Sequence, residues 1–250
     1  MRTTERNAPG WLTARPIAHR GLHDAQRPEN TTFALRAAMA RGFAVEADVR
    51  LSRDGGVFVF HDDELDRLTR ETGFFRDLDT AQAQALRLRG GERIPTLAEF
   101  LREGADCPLI LELKSDFDGD VSLAHAMAAA LADHRGPVAL KSFDPALIAV
   151  LRAQKDAPWP LGIVAQADYD DGDFENLTAA EKDRLARFVH ARETRPDFLS
   201  WRSSDLPNPT CELARACAKM PVMSWTVRSA EQAKEVLRRA DQIVFEGFIP

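Results

Sequence analysis

The residues that could do chemistry lie in short clusters. His19-Arg20-Gly21, Glu46-x-Asp48 and His61-Asp62 come early, and Glu112-x-Lys114 follows later. Imidazoles titrate near neutral pH and move protons. A guanidinium presents a fork to phosphate oxygens. Carboxylates without a cysteine or histidine cluster suit a hard divalent cation, Mg²⁺ or Ca²⁺. Together these are the parts for metal-assisted chemistry on a phosphate ester. Each also has a plainer reading. Glu46 and Asp48 could pair with arginines at a sheet edge, and His61 could be a loop histidine held by Asp62. A carboxylate in the middle of an apolar strand is costly unless it is compensated, which favours the metal reading for Glu46 and Asp48.

Strands must position these groups. Glu46 and Asp48 sit two apart on an apolar run and so point the same way, as do Glu112 and Lys114. Short apolar runs at 16–18, 44–51, 109–113, 138–140, 161–165, 198–201, 222–227 and 243–245 read as strands buried on both faces of a parallel sheet. Segments with helical spacing or start signals alternate with them, at 31–41, 122–134, 145–154, 179–192, 211–219 and 230–239. Eight strands alternating with helices predict a (β/α)8 TIM barrel, one domain over 1–250. A doubly wound open sheet is the competitor, but no G-x-G-x-x-G follows the first strand, which weakens its dinucleotide-binding version. Arg53-Asp54-Gly55-Gly56 reads as a hairpin turn, so 57–60 should run back against the second strand. The stretch at about 53–95 is expected to be an insertion at the active-site end, with a helix starting near Ile94-Pro95-Thr96. The N-terminal segment through Trp11 is expected to fill the place of a final barrel helix.

Composition sets broad bounds. The chain has 250 residues, 44% hydrophobic and 29% charged, with net charge −6, which is ordinary for a globular protein. Basic residues are scattered, so no nucleic-acid footprint is expected. Cys107, Cys211 and Cys217 lack metal-type spacing and read as free thiols. The polar N-terminus does not read as a secretory signal, and no run approaches a membrane span. A cytoplasmic protein without membrane insertion is the expectation.

Ordered motifs sharpen this reading. Ile17-Ala18-His19-Arg20-Gly21, Pro28-Glu29-Asn30-Thr31, Glu46-Ala47-Asp48-Val49, Asp54-Gly55, His61-Asp62 and Leu65-x-Arg67-x-Thr69 follow one another. Ile94-Pro95-Thr96-Leu97 and Glu112-Leu113-Lys114 continue the series, with Ser142-Phe143-Asp144 and Trp225-Thr226-Val227 as weaker extensions. In this order the chain resembles the glycerophosphodiester phosphodiesterase family along nearly its whole length. The resemblance implies a (β/α)8 barrel that hydrolyses glycerophosphodiesters to glycerol 3-phosphate and an alcohol with one divalent cation, Mg²⁺ or Ca²⁺. It implies Glu46, Asp48 and Glu112 as metal ligands and His19 and His61 as the acid–base pair. Arg20 and Lys114 would hold the phosphate, Glu29 would be a secondary contact, and Trp225 would touch substrate. The chain departs from the family pattern at Lys141, a position often uncharged, at Glu246-Gly247 near the C-terminus, and at Trp201-Arg202.

Rival readings remain at this stage. A phospholipase D-like action on lysophospholipids would need an apolar approach, for which Phe74, Phe75, Trp159, Phe174, Trp201 and Phe248 are candidates. The acidic run 168–173 reads as a solvated loop that disfavours anionic membranes. A non-catalytic phospho-ligand-binding barrel and a metal-independent acid–base enzyme complete the set.

Overall fold

The computed structural model describes residues 8–154, 157–170 and 172–250. Eight parallel strands close into a barrel: β1 (Ile17–Ala18), β2 (Ala44–Leu51), β4 (Leu109–Leu113), β5 (Val138–Ser142), β6 (Leu161–Ala165), β7 (Phe198–Arg202), β8 (Val222–Val227) and β9 (Gln242–Phe245). Closure is direct, because β1 pairs in parallel with both β2 and β9. An open sheet is thereby excluded. The extra strand β3 (Val57–Val59) runs antiparallel to the end of β2, with Val49 opposite Val59 and Leu51 opposite Val57. The expected hairpin turn joins them. Gly55 there has φ +89°, a backbone state that glycine enters without strain.

The barrel interior is layered by the period of two along each strand. Ile17, Ala44, Ile110, Ala139, Phe198, Met223 and Val244 form an apolar floor. Gly162 makes room for that floor, since a Cβ there would lie 2.3 Å from the Phe198 ring. Residues 8–12 seal this end, where Leu12 is buried against the floor and Trp11 packs beside it. The segment is therefore a plug under the barrel rather than a stand-in for an outer helix.

Helices α1 (Thr32–Met39), α2 (Thr80–Ala85), α3 (Leu97–Glu103), α4 (Ser122–Ala130) and α5 (Pro145–Ala153) lie between the strands of the first half. Several begin on side-chain caps: Thr31 for α1, Asp144 before Pro145 for α5, and reciprocal capping boxes at Asp79/Gln82 and Thr96/Glu99. The expected single helix over 179–192 is two, α6 (Ala179–Ala186) and α7 (Ala191–Thr194). Phe188 takes a left-handed φ of 56° between them, and Val189 N–H bonds back to Arg184 C=O. A helix usually ends this way at glycine, so the sequence carried no stop signal. Helices α8 (Pro209–Ala218) and α9 (Ala230–Val236) complete the outer layer. Residues after β3 fold over their own small core of Phe58, Phe60, Leu65, Phe75, Ala83, Leu88 and Ile94. Among the described residues, no helix is long and apolar enough to cross a membrane.

Candidate active site

Above the apolar floor the same strands turn polar. Asp48 on β2 pairs in register with Glu112 on β4, and Glu112 pairs with Lys141 on β5. Glu46 lies two residues earlier on β2 and faces the same interior. Glu46, Asp48 and Glu112 each bring a carboxylate oxygen within 4.8 Å of the others, and all are buried. Cations compensate them. Lys141 Nζ lies 3.0 Å from Glu46 Oε1 and 2.9 Å from Glu112 Oε2, while Lys114 Nζ donates to Glu112 Oε1 at 3.1 Å. Arg20 Nε is 3.4 Å from Asp48 Oδ2, and Arg20 N–H donates to Glu46 Oε2 at 3.2 Å. Asn30 grips Asp48 twice, donating from Nδ2 at 2.9 Å and accepting the Asp48 N–H at 3.1 Å.

These neighbours decide the charge states. Burial pushes the Asp48 carboxyl up. His61, Arg20, Lys114 and the Asn30 hydrogen bond outweigh it and hold Asp48 well below the usual carboxylate range. Burial acts likewise on Glu112, but Lys141 and Lys114 bring it down to about 2. Lys141 loses to burial and gains more from Glu112 and Glu46, so it is raised and carries its proton. The donor set contains only oxygens, which suits a hard cation. Glu46 Oε1 is buried without an aligned hydrogen bond despite its 3.0 Å approach to Lys141, so no hydrogen bond satisfies its lone pairs.

Both histidines stand beside this group. His19 follows β1, and its Nδ1 meets Glu246 Oε2 at 2.5 Å. His61 follows β3, with Nδ1 2.8 Å from Asp62 Oδ1 and Nε2 3.2 Å from Lys114 Nζ. The hydrogen bond with His19, with His23 Nε2 3.7 Å away, holds the Glu246 carboxyl well below its ordinary range. Asp62 is raised by burial but lowered further by His61 and Arg67. Both partners are thus carboxylates that only accept, which places the proton on Nδ1 and turns Nε2 away from them. His19, His61, Glu112, Lys141 and Trp225 line one cavity of about 510 Å³. A neighbouring cavity of about 700 Å³ runs from His61 and Lys114 toward Phe74, Phe117, Phe143 and Phe174.

An ionic chain ties the two histidine loops together. Arg20 donates to Glu29 at 2.6 Å, and Arg67 donates to Glu29 at 2.7 and 2.9 Å and to Asp62 at 2.6 and 2.7 Å. Burial raises the Glu29 carboxyl, but Arg67 and Arg20 take it to about 2. Glu29 therefore sits against two guanidiniums, outside the carboxylate trio. Trp225 donates its Nε1–H to Ser200 C=O at 2.9 Å and meets Phe143 edge-on.

The structure brings His19, Arg20, Glu46, Asp48, His61, Glu112, Lys114 and Trp225 to one mouth, with Glu29 at its edge. Sequence reasoning gave no role to Lys141, Asn30, Arg67 or Glu246 there. Asn30 and Arg67 stand inside the family-like motifs and Lys141 and Glu246 stand where the chain departs from the family pattern, but no local pattern shows which partner each takes. The aromatic reading divides. Phe74 and Phe174 line the larger cavity. Phe75 and Trp201 are fully buried in cores, Trp159 lies by the N-terminal plug, and Phe248 packs on Phe245. Asp171, in the expected acidic loop, lies outside the described residues. The three cysteines are free thiols, Cys107 and Cys211 buried and Cys217 exposed.

A closed parallel barrel with carboxylates, imidazoles and cations gathered beyond its strand ends defines a TIM barrel with its site at the C-terminal mouth. Residues 19–245 match the model of the glycerophosphoryl diester phosphodiesterase family, and the chain belongs to that family. It is 38% identical over 110 residues to a glycerophosphodiester phosphodiesterase of Caldanaerobacter subterraneus subsp. tengcongensis, spanning 40% of this chain and 44% of that protein. It is 44% identical over 98 residues to glycerophosphodiester phosphodiesterase 1 of Bos taurus, 35% of this chain and 29% of that one. The matched stretches thus cover less than half of either relative. Among solved structures, it resembles an Oleispira antarctica phosphodiesterase in complex with the product sn-glycerol-3-phosphate, with TM-score 0.73, 24% identity and 94% of each chain covered. It also resembles the Thermotoga maritima glycerophosphodiester phosphodiesterase, with TM-score 0.69, 25% identity and 92% of each chain covered.

Proposed function

We propose that this chain hydrolyses glycerophosphodiesters to glycerol 3-phosphate and an alcohol, assisted by a divalent cation on Glu46, Asp48 and Glu112. The observation that carries the reading is the paired tethering of His19 and His61. Each has Nδ1 fixed on a carboxylate, and both line one cavity with Asp48 and Glu112 of the buried carboxylate trio. A bound Mg²⁺ or Ca²⁺ would supply Lewis-acid stabilisation of the phosphoryl oxygens.

The protein's own groups do the rest. Arg20 and Lys114 stand beside the trio and neutralise charge that develops on the phosphoryl oxygens. One imidazole takes the proton of the attacking oxygen at Nε2. The other gives a proton to the leaving alkoxide as its P–O bond breaks. The attacking oxygen is that of water, or of the glycerol hydroxyl with water opening the cyclic phosphate afterwards. Trp225 lines the cavity beside the histidines, and the neighbouring cavity lined by Phe74 and Phe174 has room for a leaving alcohol.

Release of glycerol 3-phosphate from glycerophosphocholine, glycerophosphoethanolamine, glycerophosphoinositol and a lysophospholipid tests the reading, each with Mg²⁺, Ca²⁺ or a chelator. Hydrolysis of the water-soluble diesters is expected, and it should be lost on chelation and restored by metal. His19→Ala and His61→Ala should each lower turnover about 10²- to 10⁴-fold with the fold retained. Near-normal turnover in either variant would remove that histidine from the mechanism.

A further inference from the structure

The carboxylate trio faces three cations. Glu46, Asp48 and Glu112 meet Arg20, Lys114 and Lys141, so three negative charges stand against three positive ones without any metal. Arg20 and Lys114 approach from the rim. Each also reaches a second partner, Glu29 for Arg20 and His61 for Lys114. Lys141 differs. It rises from within β5, its side chain is 3% exposed, and its ammonium sits between Glu46 Oε1 and Glu112 Oε2 at 3.0 and 2.9 Å. Glu46 and Glu112 are two of the three residues that bring carboxylate oxygens within 4.8 Å of one another. An ion held by these carboxylates would have to compete with the ammonium for them.

We infer that Lys141 is a built-in competitor for the divalent cation, an internal monovalent charge that holds the carboxylate trio together and keeps metal affinity low. The inference rests on the trio being the cation site. A divalent ion entering the group must displace Nζ from Glu46 and Glu112, or bind beside a positive charge that repels it. Either way its binding is weakened by the charge it meets. The exchange is physically open, because Lys141 also lines the 510 Å³ cavity, into which its flexible four-carbon stem can carry the displaced ammonium. The contact with Glu46 is close but not aligned as a hydrogen bond, so the lysine neutralises that carboxylate without satisfying it. The protein would thus fold around its own cation and take up a metal only at high concentration, with Lys141 then turned toward the phosphate side.

Calorimetric titration of Ca²⁺ and of Mg²⁺ into the wild-type chain, Lys141→Met, Lys141→Gln and Lys141→Arg tests this without reference to turnover. Lys141→Met and Lys141→Gln should bind either ion roughly ten-fold or more tightly than wild type, and Lys141→Arg should bind like wild type. Equal or weaker binding by the two neutral variants overturns the role of Lys141 and leaves the metal site standing. No binding by any of the four proteins overturns both. Thermal melting keeps the question open to decision if a neutral variant folds poorly. Such a variant should regain a cooperative transition with excess Ca²⁺, and the wild type should melt at nearly the same temperature in Ca²⁺ and in chelator. A large calcium-induced rise in the wild-type melting temperature overturns the inference whatever the variants do.

Discussion

At the scale of single residues, the site works through what holds each side chain rather than through the side chains alone. His19 and His61 are fixed on Glu246 and Asp62, and Asp48 is clasped by Asn30. A tethered imidazole presents one nitrogen in one direction, which a free rotor does not. On the proposed mechanism, Glu246 would act as a positioning residue of this kind. Glu246→Gln should lower kcat about 10- to 100-fold, with KM changed less and the melting temperature nearly unchanged. Glu246→Asp should restore part of the loss if the negative charge is what matters. Steady-state kinetics with circular dichroism on both variants decides it, and an unchanged kcat in Glu246→Gln removes the residue from the mechanism. The histidines and carboxylates were legible in the sequence because each ends or interrupts an apolar run. Glu246 was not, because its partner lies 227 residues away and no local pattern records that contact.

At the scale of elements, strand period and register do the positioning. Residues two apart on β2 place Glu46 and Asp48 in the barrel, and pairing in register sets Asp48, Glu112 and Lys141 side by side. The first loop depends on a close approach. Gly21 has φ +80°, and a Cβ there would lie 2.8 Å from Ala34 Cβ in α1. Gly21→Ala should cost about 1–3 kcal/mol and also slow turnover, since the shift would be shared by His19 and Arg20. Urea unfolding beside an activity assay checks this, and a variant with wild-type stability would mean that α1 gives way freely. Strands were the most legible elements, because continuous short apolar runs mark them. The helical pattern over 179–192 hides a break, because Phe188 takes a left-handed conformation there. Nothing in a phenylalanine announces that, while its packing against Trp201 holds it there.

At the scale of the whole molecule, the mouth is an ionic assembly spanning loops and strands from both ends of the chain. The run Arg20–Glu29–Arg67–Asp62–His61 joins two loops, and Glu246 anchors the C-terminus to β1. Such a network makes stability depend on acid. Glu29 and Glu112 are each lowered from 4.5 to about 2. Groups depressed in the folded state bind protons more readily once unfolded, so their contribution is complete above about pH 5 and drains away as pH falls toward 2. Stability in urea titrations should be flat from neutrality to about pH 5. It should then drop by roughly 2–4 kcal/mol by about pH 3. A stability that stayed level to pH 3 would contradict the arginine and lysine pairings that lower these carboxyls. The floor gives a separate expectation. Leu12→Ala should cost about 2–4 kcal/mol, as other buried leucine truncations do, without altering kcat, because the plug lies at the far end of the barrel.

By itself the sequence determined the barrel, the hairpin after its second strand and the clusters of titratable residues that the barrel brings together. These depend on local alternation, turn residues and residue type, which a single pass along the chain exposes. Only the tertiary structure decided which charges answer which. Lys141 meets Glu46 and Glu112, Glu29 turns to Arg20 and Arg67, and the N-terminal segment enters the barrel floor instead of covering its wall. The physical reason is common to all three. A buried charge or an apolar side chain takes the partner that desolvation makes most favourable, and that partner is found by distance in space rather than by distance along the chain.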